Sequence, residues 1–392
     1  MKAADAERIY LDHAATTPLR LEARAAMEPF LSGTAFGNPS SLHYDGQLAK
    51  RALDSARDIL AETLGCQFSE VAFTSGGTES DNAALLGVML ANRSRGNHLI
   101  VSQIEHEAVG DTARFLQTLG FSVTFLPVDL FGRVSPESVA EALTPQTVLV
   151  SVMHASNEVG TVQPLRQIAE IVHAHGAYLH TDAVQTFGQL PVTLEALGAD
   201  LITVSAHKVY GPKGAGALVV RSGISFEPLL HGGGQERGRR SGTENVAAIA
   251  GFGEAVRLQL PARGAEAARL TALRDSLLAA LRDRIPTLVL NGHPAERLPN
   301  NLNVSFPGLD AESLLLSLDR AGISASSGSA CASGSIEPSH VLTAMGLPED
   351  CINSAIRLTL GRGTTGEEMG RTVEILGGIV ERLGGIPERL AG

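Results

Sequence analysis

The chain has 392 residues, of which 44% are apolar and 19% charged, with a net charge of −11. That composition excludes a disordered or fibrous chain, and the acidic balance argues against nucleic acid as a general partner, because phosphate binding needs a basic footprint. No apolar run approaches the about 18 residues needed to span a bilayer, so no membrane is expected as a partner.

Three cysteines, Cys66, Cys331 and Cys351, are too few for a disulfide framework. The first ten residues, MKAADAERIY, lack the charged-then-apolar pattern of a secretion signal. A cytoplasmic location is expected.

In chain order, apolar runs at 71–74, 98–102, 122–127, 147–153, 177–181, 201–205 and 215–221 read as strands. Helix-length, mostly amphipathic segments separate the first five. One is 165–175, with Gly176 placed to close it. Strands alternating with helices predict an α/β fold with a largely parallel sheet, whose ligands sit at the carboxyl ends of the strands. From about residue 262 the rhythm changes. A long helix at 265–285 precedes short strands at 287–290 and 301–306. Helices at 311–321, 338–345 and 366–383 follow, with a strand at 356–360 between the last two. This predicts a second, smaller α/β domain. The stretch 322–334 is rich in Gly, Ser and Ala and reads as a mobile loop.

Chemistry-bearing residues fall where these strands end. The run LITVSAHK leads straight into Lys208. A buried lysine is costly to keep charged, and desolvation makes it a nucleophile suited to a Schiff base. A lysine that carries its ammonium out to solvent is the other reading. Asp182 follows the 177–181 strand. A carboxylate there, one βαβ unit before such a lysine, suits a pyridine nitrogen that must stay protonated while the ring accepts electrons. A helix N-cap is the alternative. TSGGTES at 74–80 opens a helix with glycines that admit a phosphate to its free N–H groups, or is simply a tight turn. His106 and Asn157 each lie just past a strand. His106 could stack on a flat ring or move protons, or be a surface histidine. Polar groups at four strand ends and a glycine turn at a fifth make independent coincidence improbable. A metal-dependent hydrolase would draw on His173, His175, His180 and Asp182, but the first two fall in a last helical turn, where histidines suit the macrodipole. No metal site is expected.

Longer motifs then line up: LDHAATTP (11–18), GNPSSLH (37–43), TSGGTESDN (74–82), EHEAV (105–109), SNEVGTVQP (156–164), HTDAVQ (180–185), SAHKVYGPKG (205–214), HGGGQERGRRSGTEN (231–245), SSGSACASG (326–334) and IRLTLGR (356–362). On these residues the chain resembles the fold-type I pyridoxal-phosphate enzymes and, within them, the NifS/IscS class of cysteine desulfurases. The resemblance implies a large domain, 17–261, built on a mostly parallel seven-stranded sheet, and a small domain from 1–16 and 262–392. It implies pyridoxal 5'-phosphate held covalently by Lys208, Asp182 on the pyridine nitrogen, Gln185 on the phenolic oxygen and His106 stacked on the ring. Gly77, Thr78, Ser205 and His207 would hold the phosphate. Thr243 would do so from a partner subunit, which implies a homodimer. Asn157 would contact cofactor and substrate, and Arg357 the substrate carboxylate, which a guanidinium fork matches.

Cys331 would be the nucleophile. Its loop suits a thiolate that must attack the sulfur of L-cysteine and then carry a persulfide outward to a sulfur-acceptor protein, such as an iron–sulfur scaffold or a thiolation protein. Cys66 and Cys351 read as structural. Ala206 departs from the usual glycine, and little chain follows the last helix, whereas IscS-type members carry a longer tail used in docking a scaffold. A selenocysteine lyase, or another fold-type I lyase or transferase, is the nearest rival, and a catalytically silent scaffold a more distant one.

Overall fold

A computed structural model describes residues 8–327 and 338–384. Its strands are β1 (Ile9–Tyr10), β2 (Val71–Thr74), β3 (His98–Ser102), β4 (Ser122–Leu126), β5 (Thr147–Ser151), β6 (Tyr178–Asp182), β7 (Leu201–Ser205), β8 (Gly216–Val220), β9 (Val289–Asn291), β10 (Asn301–Ser305), β11 (Ile323–Ser324) and β12 (Ala355–Thr359). The seven expected strands form one sheet in the order β2-β8-β7-β6-β5-β3-β4, in which only β8 runs antiparallel to its neighbours. β3, β5 and β7 are buried along their whole length. A strand covered on both faces needs apolar residues at every position, which is why these runs read as continuous rather than alternating.

Differences from expectation are small. The run expected at 177–181 forms one residue later, which makes Asp182 the last residue of its strand. The helix at Leu165–His175 ends in Gly176 with φ 88°, a left-handed turn that suits glycine. Beyond the main sheet, β12, β10 and β9 form an antiparallel three-stranded sheet, and β1 pairs with β11 in parallel. Neither β1 nor β11 is legible in the sequence, because two residues carry no periodicity. A separate buried cluster joins Ile9 and Leu11 to Leu277, Leu302, Phe306, Leu358 and Leu376. Most of the stretch expected to be a loop, 328–334, lies outside the described residues, and Cys331 with it.

One buried ion pair organises the approach to the site. Arg57 and Glu236 meet through two bonds of 2.7 Å, at 3% and 1% side-chain exposure. Arg57 also donates to the Val71 carbonyl, and Glu236 accepts from Phe73 N–H. The pair thus pins the segment around 236, where Glu236 and Arg237 take the positive φ values 48° and 58°, onto β2. Replacing Arg57 with Ala leaves a buried carboxylate without its cation. We expect a loss of about 3–5 kcal/mol in urea unfolding, and a smaller loss when Glu236 is replaced by Leu in the same chain.

Candidate active site

The carboxyl ends of β2, β3, β5, β6 and β7 share one edge of the sheet, and the glycine turn, His106, Asp182, Ser205 and Lys208 lie at or just past them. β7 ends at Ser205 and passes into a single 3₁₀ turn, Ala206–Lys208. Ala206 is not among the residues with positive φ, so it replaces glycine without strain. The Lys208 Nζ donates to the carbonyls of Ala14 and Ala15, the latter at 2.8 Å. Burial and the nearby charge of Arg357 lower its pKa to about 8, against the opposite pull of Asp182 and Asp12.

Asp182 is 8% exposed, and its Oδ1 accepts one backbone bond, from Val184 at 2.8 Å. Burial pushes its carboxyl up, while His106 and Lys208 favour its charge. Among the described residues no cation lies within ion-pair distance of it. Behind it stand His180 and Asp81, both buried. The His180 ring meets the hydroxyls of Ser151 at 2.8 Å and Thr203 at 3.1 Å. Burial lowers its pKa to about 3. Burial and the Asp182 charge hold Asp81 well above the ordinary carboxylate range.

The glycine turn opens the helix Gly77–Ala91 beside β8. A Cβ on Gly216 would lie 2.7 Å from the Gly76 backbone, so only glycine lets strand and turn approach this closely. Thr78 is exposed in the first turn, and the Ser205 hydroxyl is buried with no hydrogen-bond partner among the described residues. His207 Nδ1 lies 3.1 Å from the Thr16 hydroxyl, and burial and the charges of Lys208 and Lys213 lower its pKa to about 4. His106 is exposed and caps the helix Glu107–Thr118, its Nδ1 accepting from Ala108 N–H at 3.1 Å.

Gln185 donates to the Ala14 carbonyl at 3.0 Å. Arg357, on β12, has a 3% exposed side chain and donates to the Asn157 carbonyl at 3.1 Å and to Asp12 Oδ1 at 3.0 Å. Thr243 is exposed, on a segment tied to the glycine turn by Arg240, whose Nε donates to Glu79 at 2.8 Å. The residues that a metal site would draw on are otherwise engaged or apart. His173 pairs with Asp200 at 2.9 Å, His180 is fully buried within β6, and among the described residues no group of three or more His, Cys, Asp and Glu is placed to hold a metal ion.

Sequence reasoning missed the turn at 12–17. Its carbonyls meet Lys208 and Gln185, its Thr16 hydroxyl meets His207, and its Asp12 meets Arg357. The motif LDHAATTP was visible, but nothing local assigned it a role, since its partners lie 171 to 345 residues away.

The aminotransferase class-V family model matches residues 9–371. The cysteine desulfurase IscS of Dictyoglomus turgidum is 48% identical over 93% of this chain and 92% of its own length. The cysteine desulfurase IscS of Methanosarcina thermophila is 49% identical over 93% and 90%. A solved NifS-like protein superposes with a TM-score of 0.90 at 37% identity, covering 96% of this chain and all of that one.

Proposed function

Since the chain belongs to the class-V aminotransferase family, we infer that it is a pyridoxal-phosphate-dependent cysteine desulfurase. The observation that carries the reading is a half-buried Lys208, just past the end of β7, whose amine is held by the Ala14 and Ala15 carbonyls and feels the charges of both Asp182 and Arg357. The residues fit the cofactor. Asp182 is a buried carboxylate with no cation in ion-pair contact among the described residues, and can meet a protonated ring nitrogen. Ser205 has a hydroxyl with no partner among the described residues beside a helix N-terminus, where a phosphate is favoured together with Gly77, Thr78 and His207. Gln185 would take the phenolic oxygen, and His106 would cover the ring. When bound, the cofactor supplies an acceptor for the electrons left at the substrate carbon.

The chain's own groups divide the remaining work. Arg357 and Asn157 orient the amino acid through its carboxylate. Lys208 carries the Cα proton, a task suited to an amine whose pKa lies near 8. The Cys331 thiolate attacks the substrate sulfur, and a new S–S bond replaces the Cβ–S bond. Cβ takes up a proton, so L-cysteine plus a thiol becomes L-alanine plus a persulfide, with no external oxidant. The other cysteines are poor nucleophiles, because burial pushes the Cys66 thiol up to about 12 and also raises Cys351. We assign the persulfide to an acceptor protein of the iron–sulfur scaffold or thiolation type, with Thr243 completing the site of a partner subunit in a cytoplasmic homodimer. Residues 17–261 form the cofactor domain, and 1–16 with 262–392 the domain that bears Cys331.

Mass spectrometry after treatment with L-cysteine tests this reading. We expect one added sulfur atom on the peptide carrying Cys331, and its appearance on Cys66 or Cys351 instead would overturn the assignment. Recombination of the apoprotein with cofactor should also follow the amine. Only the deprotonated form attacks an aldehyde, so the rate should rise about tenfold per pH unit below about 8 and level off above it.

A further inference from the structure

The substrate-side guanidinium does not stand alone in its pocket. Asp12 Oδ1 accepts from Arg357 Nη2 at 3.0 Å, on an arginine whose side chain is 3% exposed, while Asp12 itself retains 20% exposure. Two backbone features fix the carboxylate there. Asp12 bridges to Thr359 on β12, two residues from Arg357, and the Asp12 carbonyl accepts from Ala15 N–H at 3.0 Å and from the Tyr10 hydroxyl at 3.1 Å. Asp12 also acts on Lys208, whose amine feels both its charge and that of Arg357. The turn that carries Asp12 also holds the Lys208 amine through the Ala14 and Ala15 carbonyls, so an amino acid bound at Arg357 and reaching Lys208 must pass close to the Asp12 carboxylate.

From this placement we propose that Asp12 is a specificity-determining residue, which restricts the pocket to amino acids whose side chain carries no negative charge. The charges that act on the Lys208 amine are Arg357 on one side of the balance and Asp12 and Asp182 on the other, and His106 acts on Asp182. One substrate carboxylate finds Arg357. A second anionic group finds no further cation among these groups, and meets Asp12 instead. Like charges held together in a partly desolvated pocket reject a ligand by an unfavourable contact rather than by a missing one. Cysteine, with a neutral thiol, passes, while aspartate and cysteine sulfinate, of similar size, do not.

The inference rests on the assignment of Arg357 to the substrate carboxylate but can fail independently of it. The experiment titrates holoenzyme with L-alanine and with L-aspartate, following the visible absorbance of the cofactor, in the native protein and in Asp12→Asn and Asp12→Ser. Both variants should narrow the preference for alanine over aspartate by on the order of tenfold. The turnover ratio of L-cysteine sulfinate to L-cysteine should rise in parallel. An unchanged ratio in both variants, with each binding alanine, would overturn the role of Asp12. Two variants are used because Asp12→Asn keeps the shape and a hydrogen bond to Arg357, whereas Asp12→Ser removes both. A ratio that moves only in Asp12→Ser would likewise refute the charge argument. If native holoenzyme releases no alanine from cysteine, the desulfurase reading itself fails, whatever the binding ratios.

Discussion

Replacing Lys208 with Ala is expected to lower alanine formation from L-cysteine by at least about 10⁴-fold, the largest loss of any single substitution in the chain. The lysine does two things at one place. It anchors the cofactor aldehyde, and it moves the substrate's Cα proton. Both draw on the neutral amine, and burial together with the charge of Arg357, by lowering the pKa to about 8, raises the neutral fraction at physiological pH far above that of an ordinary lysine. The variant should fold, because among the described residues the side chain's hydrogen bonds are those to the Ala14 and Ala15 carbonyls. It should still retain cofactor without the covalent link, so its absorbance should shift from that of an imine to that of a free aldehyde. Alanine release within about tenfold of the native rate would assign proton transfer to another residue. Added methylamine should restore part of the cofactor's imine absorbance but little turnover, since an amine that diffuses freely lacks the positioning.

Cys331→Ser should separate binding from sulfur transfer. The hydroxyl is a far weaker nucleophile towards sulfur than a thiolate, and it forms no persulfide. We expect the visible spectrum and its response to L-cysteine to match those of the native protein, while sulfide release in the presence of a reductant falls by more than about 10³-fold. Cys66→Ser serves as the control. Its thiol is pushed up to about 12 by burial and by Glu70, so it contributes no thiolate and its loss should leave turnover intact. Full sulfide release from Cys331→Ser would sink the relay.

Much of this architecture was legible because burial on both faces forces long apolar runs. β3 and β7 appear in the sequence at the same residues as in the fold, and Asp182 and Lys208 stand out because each follows such a run. The register of β6 was one residue off, since nothing local distinguishes Thr181 from Asp182 as the last paired position. What could not be read is what only tertiary closure creates. Asp81 lies in an ordinary helix sequence, and its position under Asp182 depends on how the helix Gly77–Ala91 crosses the sheet. The Asp12–Arg357 contact spans 345 residues and leaves no periodic trace. Arg57 is similar: a charged residue in an amphipathic helix ordinarily faces water, and here it is buried because Glu236, 179 residues on, is buried with it.

The pairing of β1 with β11 bears on how the protein is made. Ile9 and Leu11 leave the ribosome before every partner they pack against, and two of those partners, Ile323 and Leu358, are synthesised more than three hundred residues later. Until then the two residues have no core to enter, while the sheet from β2 to β8 can already assemble behind them. Lys208 and Asp182 will therefore be in place on a nascent chain that still lacks Arg357. A chain arrested before β12 should capture cofactor loosely and recognise no amino acid, so substrate selection is the last competence the protein acquires during its own synthesis.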